Sequence, residues 1–410
     1  MRSTAGGEIP KKITPSPDHE NCNINSCLKQ AGGLRTHGGS AASCGRFSLI
    51  MLPAYFDPIR ARIVPALQRF LEDKKEELSR VNPMGPDAVQ RLMEFSLRGK
   101  MIRGCLVHLG WSICNTSGKA SVEQQLAVTA VGAAMELFQS GLLVHDDIMD
   151  KDPVRRGRPS VFSQYAEVAD REGHADAQHV GHALGICAGD VAYFMAFELL
   201  ATAGILPGEL ANLLALCAGE LSAVGVAQMQ DMMWGAGRSR AGVEDILRMY
   251  TYKTGRYSFS LPLLAGAIIA KAPADMKARL ETFGESVGLL FQIRDDELGL
   301  FGTEAEIGKP VGSDVKEGKK TIIFASLMAA TGPAERRRLG GIFGNPRASE
   351  VDIEYVRSVA SSPKVRAQID AITVGLGKKA RAAIDGLPSG ADEDRAAMAG
   401  LLEFTTARRH

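Results

Sequence analysis

Residues 124–150 read QQLAVTAVGAAMELFQSGLLVHDDIMD. Ala, Leu, Val and Met recur too densely for a one-sided amphipathic helix, so the run predicts a helix buried on most faces. It closes on three acids, Asp146, Asp147 and Asp150. Asp146 and Asp150 project from one helical face, about 6 Å apart along the axis. Like charges at this spacing destabilise a helix, and the negative end of the helix dipole adds to the penalty. A hard divalent cation reverses that sign. Leu142, Leu143 and Val144 look buried just before the acids. The cluster therefore reads as a metal-binding face rather than a solvated helix end.

Immediately downstream, Pro153-Val154-Arg155-Arg156-Gly157-Arg158-Pro159 places three arginines in a Pro/Gly loop. Surface ion pairs with the acids would contribute little each. Guanidinium groups also form bidentate contacts with phosphate oxygens. A second block repeats this order. Phe291-Gln292-Ile293-Arg294-Asp295-Asp296 ends another apolar helix, and a loop from Gly308-Lys309-Pro310 to Gly318-Lys319-Lys320-Thr321 follows it. Carboxylates for Mg²⁺ beside cations for phosphate make the usual setting for a diphosphate. The basic loop is not a Walker sequence and lacks its spacing.

The rest of the chain supports an all-α fold. Ile59, Ile63, Leu67, Phe70 and Leu71 recur at three-to-four spacing between charged residues. Further helices are predicted over 180–204, 208–234, 243–271, 275–301, 320–330, 349–360, 363–384 and 391–407. Pro153, Pro159, Pro207, Pro273, Pro310, Pro333 and Pro388 mark breaks between segments. Strand-like alternation between hairpin turns is lacking. Residues 1–50 have no apolar periodicity and are expected to be a disordered N-terminal extension, with 51–410 forming one large helical domain.

Charge and cysteine usage narrow the function. Lys and Arg number 48 against 47 Asp and Glu, for a net charge of +1. That balance argues against a nucleic-acid-coating protein. The longest stretch without Asp, Glu, Lys or Arg is Gly104–Gly118, shorter than a bilayer span, so no membrane span is expected. No charged head followed by an apolar run suggests a secretory leader. Seven cysteines at irregular spacing, without a CxxC pair, make neither a disulfide framework nor a zinc site. A reduced, cytoplasmic protein is the expectation.

The two acid-then-base blocks resemble those of the trans-isoprenyl (polyprenyl) diphosphate synthases, and most of all the short-chain geranylgeranyl diphosphate synthases. Asp146-Asp147-Ile148-Met149-Asp150 with Arg155-Arg156-Gly157 resembles the first aspartate-rich motif. Asp295-Asp296, followed by Gly-Lys-Pro and Glu-Gly-Lys-Lys-Thr, resembles the second. The likeness spans about residues 52–407. It implies an all-α bundle of isoprenoid synthase type with a central cavity, usually a homodimer. The implied reaction joins isopentenyl diphosphate head-to-tail to an allylic diphosphate.

The resemblance also implies roles. Lys100 and Arg103, in Gly99-Lys100-Met101-Ile102-Arg103, would hold isopentenyl diphosphate with Gln139 and Arg156; Met101 replaces an expected arginine. Asp146, Asp150 and Asp295 would bind Mg²⁺, with Asp147 in support and Asp296 behind. Arg155, Lys253, Thr254, Gln292, Lys309 and Lys319 would complete the allylic pocket. Gln228 and Asp231 resemble the family's GQxxD helix. Gly299 stands where a full second motif has aspartate. His145 reads as a packing histidine, leaving the departing diphosphate as the expected base. Bulky residues before the first aspartates set product length in this family. Gly141 lacks the aromatic group of shorter-product members, so Leu142 and Phe138 lead to the expectation of a tunnel open to geranylgeranyl length. Farnesyl or longer products, a class I terpene cyclase and a non-catalytic synthase subunit are the competing readings.

Overall fold

The computed structural model describes residues 42–115, 120–237, 241–303, 311–388 and 391–407, with side chains from residue 54 onward. Its contacts divide the chain into Met1–Cys44 and Gly45–His410, and the architecture below is that of the second unit. The expected disordered extension lies outside the described residues up to position 41. The first described helix opens at Ala42 rather than at Met51, so the boundary expected at residue 50 falls inside a helix.

In chain order the helices are α1 (Ala42–Leu78), α2 (Met84–Leu97), α3 (Ile102–Cys114), α4 (Val122–Met149), α5 (Val161–Arg171), α6 (Ala177–Ala201), α7 (Pro207–Ala236) and α8 (Val243–Tyr250). After a π-helical segment, Thr251–Ser260, come α9 (Leu261–Ile269), α10 (Ala274–Phe301), α11 (Ser313–Glu317) and α12 (Ile322–Ala330). The chain closes with α13 (Pro333–Ile342), α14 (Glu350–Ala360), α15 (Pro363–Asp385) and α16 (Asp392–Ala407). The described sheet is one hairpin, β1 (Val154–Arg155) with β2 (Arg158–Pro159). The all-α expectation therefore holds.

The predicted central helix is α4. Ser121 caps its start, accepting from the Gln124 N–H while the Gln124 side chain accepts from the Ser121 N–H. Val131, Ala134, Met135, Leu137 and Phe138 are fully buried, joined by Ile63, Leu67 and Leu71 of α1. A second core gathers α3, α9, α10, α15 and α16, and a third gathers α8, the end of α10, α12, α14 and α15.

The predicted single helix over 243–271 is instead three pieces. The π-helical turn interrupts it without redirecting the chain, which is why the apolar pattern reads straight through. Close approach holds this segment to α10: a Cβ on Gly288 would lie 2.4 Å from the Gly255 Cα. Single π turns commonly sit at functional sites, and this one carries Lys253 and Thr254.

By length and composition α4, α6 and α7 are each apolar enough to cross a membrane, although none is free of charge. The charge-free-run criterion passed over them. The most apolar window of α4 is 72% buried inside the protein, against 39% for α6 and 28% for α7. The apolar character of α4 is thus accounted for by the core, whereas α6 and α7 leave much of theirs uncovered.

Candidate active site

The C-terminal ends of α4 and α10 meet across a cavity of about 1110 Å³. Asp146 and Asp150 line it from α4, Asp295 from α10, and Gln228 and Asp231 from α7. Lys253 and Thr254 enter from the π-helical segment, Lys319 from the loop after α11, and Lys100 and Arg103 from the start of α3. Residues far apart in sequence thus share one space, as the paired motifs predict.

On the first acidic edge, Asp146 Oδ1 accepts from Gln228 Nε2 at 3.2 Å, and its Oδ2 lies 3.6 Å from Arg155. Burial raises the Asp146 pKa and Asp150 adds to that, against the opposing charges of Lys253, Arg155 and Lys319. Asp150 Oδ2 lies 3.3 Å from Lys319 Nζ. Lys253 is ion-paired with Asp231. Burial works against its charge, but Asp231 and Asp146 hold its pKa above the usual lysine value.

Arg155 owes its position to the hairpin. Arg156 (φ 55°) and Gly157 (φ 72°) form the two-residue turn, both left-handed as the twist of a tight hairpin demands. Arg155 Nε donates to Asp147 Oδ1 at 2.6 Å. Asp147 is wholly buried and absent from the cavity wall. Burial pushes its pKa up to about 6, with Arg155 opposing. The expected support of Asp147 to the metal is therefore corrected: its carboxylate anchors Arg155 instead. Arg156 also lies off the cavity wall, with NH1 donating to the Phe95 carbonyl at 3.1 Å beside Gly99.

The second edge is braced from behind. Asp296 is buried, accepts from Gln292 Nε2 at 3.0 Å and from the Tyr250 hydroxyl, and its pKa is raised by burial. The Tyr250 oxygen accepts in turn from the Ile322 N–H at 3.1 Å. Thr254 Oγ1 donates to Gln292 Oε1 at 3.0 Å. Asp295 and Asp296 both line the cavity, and Asp295 is the exposed member of the pair. At Gly299 a side chain would crowd Asp314: a Cβ there would lie 3.0 Å from Asp314 Oδ2, and both residues line the cavity.

The third group is cationic. Arg103 donates to Ser258 Oγ at 2.5 Å, and its guanidinium lies 4.8 Å over the Tyr257 ring. Its Nε is buried without a hydrogen-bond partner among the described residues. Tyr257 donates to Gln139 Oε1 at 3.0 Å. Met101 is fully buried in the core, so no side chain there reaches the cavity. His145 lines the cavity, its Nε2 3.0 Å from the Ile186 carbonyl and its ring edge-on to Tyr193. Lys309 lies outside the described residues.

Two expectations about the tunnel need correction. Leu142 lines the cavity, but Phe138 and Gly141 do not. Phe138 is fully buried against Phe197, and Gly141 faces the Tyr193 ring. Sequence reasoning passed over Tyr193, Tyr250, Tyr257 and Asp314. Of these, Asp314 alone had a local signal, as an acid inside the basic loop.

Comparison with known proteins places the chain in a family. A family model described as Polyprenyl synthetase matches residues 87–359. Geranylgeranyl diphosphate synthase of Saccharolobus solfataricus is 31% identical, over 68% of this chain and 79% of the relative. Farnesyl diphosphate synthase of Bacillus subtilis is also 31% identical, over 65% of this chain and 86% of its own length. Among solved structures, geranylgeranyl pyrophosphate synthase from Corynebacterium glutamicum, complexed with isoprenyl diphosphate and magnesium, superposes with a TM-score of 0.77 at 28% identity. It covers 87% of this chain and 99% of that one. Matched by the family model along two-thirds of its length, the chain belongs to the polyprenyl synthetase family.

Proposed function

We propose that this protein is a Mg²⁺-dependent prenyltransferase that condenses isopentenyl diphosphate with allylic diphosphates into a short-chain all-trans prenyl diphosphate. The observation that carries the reading is one cavity with two opposed acidic edges and two separate sets of cations. Lys253, Lys319 and Arg155 stand beside the acids, while Lys100 and Arg103 stand with Gln139 at the start of α3. A terpene cyclase ionises one diphosphate and has no use for the second set.

The donor set suits magnesium. Asp146, Asp150 and Asp295 offer hard oxygen ligands. No three acidic, His or Cys side chains converge on one point among the described residues. Mg²⁺ typically takes one or two carboxylates and completes its shell with water and phosphate oxygens. When bound, the metal would neutralise charge on the leaving diphosphate. Lys253, Lys319 and Arg155 add fixed positive charge around that group as the allylic C–O bond breaks. Arg103, with its unpartnered buried Nε, and Lys100 hold the isopentenyl diphosphate so that its double bond faces the electron-poor allylic carbon. The new C–C bond forms there, and a proton leaves the neighbouring carbon for the departing diphosphate.

The expected product is geranylgeranyl diphosphate, the length for which the Saccharolobus and Corynebacterium relatives are named. A homodimer is the expected assembly, since Ile186, Phe194 and Val226, all outside the cavity wall, leave α6 and α7 with exposed apolar groups. A reducing cytoplasm suits the free Cys105, Cys114, Cys187 and Cys217. Incubating the purified protein with Mg²⁺, isopentenyl diphosphate and dimethylallyl diphosphate tests the reading. An elongated prenyl diphosphate is the expected product. A cyclised hydrocarbon would favour the cyclase, and no diphosphate release would favour the non-catalytic subunit.

A further inference from the structure

Two glycine notches interlock α4 and α6 behind the first acidic edge. A Cβ on Gly189 of α6 would lie 2.2 Å from His145 Nε2, so the imidazole fills that notch. Reciprocally, a Cβ on Gly141 of α4 would lie 2.8 Å from Tyr193 Cε1 and 3.0 Å from the Gly189 carbonyl oxygen, so the Tyr193 ring fills this one. The two rings meet edge-to-face, with centroids 5.4 Å apart. One step deeper, Phe138 of α4 and Phe197 of α6 repeat the contact at 4.9 Å. The helices are therefore antiparallel here, with aromatic rings from α6 laid across small or apolar positions of α4.

Tyr193 lines the cavity, whereas Gly141 and Phe138 do not. Gly141 lies about 7.5 Å along the α4 axis from Asp146, at 1.5 Å per residue. An aromatic ring from α6 thus forms the cavity wall beside the Gly141 notch. Burial and the nearby Asp190 and Asp146 carboxylates raise the phenol pKa, so the hydroxyl stays neutral. The group facing the tail is an uncharged ring.

We propose that Tyr193 is the residue that determines product length, its ring seated in the Gly141 notch as the wall on which the prenyl tail stops. This rests on the prenyl-elongation reading above. Packed interiors tolerate little added volume, so a wall fixed by a reciprocal notch gives a defined stopping point.

Chromatography of the products made by the full-length protein with Mg²⁺, isopentenyl diphosphate and dimethylallyl diphosphate tests it. Tyr193→Ala should lengthen the main product by at least one isoprene unit. Tyr193→Leu, which keeps an apolar group in the notch, should lengthen it to a smaller degree. Tyr193→Phe should retain the wild-type length, because the ring and not the hydroxyl is the stop. An unchanged product from a folded Ala or Leu variant would overturn the assignment. Gly141→Ala tests the same wall from the other helix: it must push the ring toward the cavity and shorten the product, and an unchanged length would again overturn the assignment. A wild-type protein that releases no diphosphate would instead overturn the elongation reading.

Discussion

Lys319 Nζ lies 3.3 Å from Asp150 Oδ2, a contact between residues 169 positions apart. It joins the base of the second block to the acid of the first. Lys253 does the same from the π-helical segment, paired with Asp231 and adding its charge near Asp146. The acids at the end of α4 are therefore stabilised by cations drawn from elsewhere in the chain. In the reaction proposed above, an anionic substrate carrying its own metal would exchange those contacts, the lysines turning to diphosphate oxygens and the carboxylates to the metal.

This arrangement separates the two adjacent acids. Asp146→Asn should raise the Mg²⁺ concentration for half-maximal activity more than tenfold and lower kcat by about 10²-fold or more, because charge stabilisation is lost in the transition state. Asp147→Asn should leave that Mg²⁺ requirement in place, since its carboxylate faces Arg155 and not the cavity. Its effect should instead be a modest change in stability, since burial, which lifts the Asp147 pKa to about 6, already works against the charge that Arg155 pairs with. Magnesium titrations and denaturant melts of both variants check the contrast. A shift in Mg²⁺ requirement for Asp147→Asn matching that of Asp146→Asn would return Asp147 to the metal.

Restoring the missing acid of the second motif should not help. A Cβ at position 299 already meets Asp314 Oδ2 at 3.0 Å, and the nearest described cation to Asp314 is Lys319, at 3.8 Å. Gly299→Asp should lower stability without metal by about 1–2 kcal/mol through like-charge repulsion. Adding Asp314→Asn should recover most of it. Thermal melts of the single and double variants in chelator provide the measurement, and a Gly299→Asp protein as stable as wild type would refute the crowding.

What the sequence made legible follows from the range of each signal. Asp146, Asp150 and Asp295 were readable because helical periodicity and charge repulsion act over one turn. The break in 243–271 was not, because a π turn leaves the apolar pattern intact. Asp147 and Asp146 look alike in sequence, and only the fold shows that Asp147 is wholly buried against Arg155 while Asp146 lines the cavity. The contact between Tyr193 and α4 was hidden for a related reason. Gly141 signals an empty position on its own helix, yet its neighbour Tyr193 comes from a helix 52 residues on, a tertiary match that no local pattern encodes.

His108 gives the fold a pH dependence away from the cavity. Arg62 donates to its Nε2 at 3.0 Å, and its Nδ1 is buried without a partner among the described residues. Burial, helped by the Arg62 charge, pushes its pKa from 6.5 down to about 4. The unfolded chain then binds the extra proton in that interval, so stability rises with pH across it. The contribution is fully present above about 6.5 and is lost as pH falls toward 4. At 1.36 kcal/mol per pKa unit, the loss amounts to about 3 kcal/mol over the whole window. Urea melts at intervals between pH 7.5 and 4.5 should show this slope in wild type and a shallower one in His108→Gln. Identical slopes would assign the acid sensitivity to other groups.

The uncovered apolar surface predicts the assembly. Phe194 is 73% exposed and Val226 67% exposed, both outside the cavity wall, on the two helices whose apolar windows are the least buried. Exposed apolar groups concentrated on neighbouring helices mark an interaction surface, and a homodimer places the same patch on both partners. Phe194 lies next to Tyr193 in sequence but outside the cavity wall. Phe194→Glu should therefore weaken association, introducing a charge on each side of the two-fold axis that a buried interface cannot solvate. Sedimentation velocity should find wild type as a dimer at micromolar concentration and Phe194→Glu shifted toward monomer by at least tenfold in dissociation constant. Because α6 also carries the Tyr193 wall, separation should loosen the tunnel and broaden the product distribution. A wild-type monomer with this face exposed would dismiss the dimer, and a Phe194→Glu monomer with unaltered products would show that the wall stands on α4 and α6 packing alone.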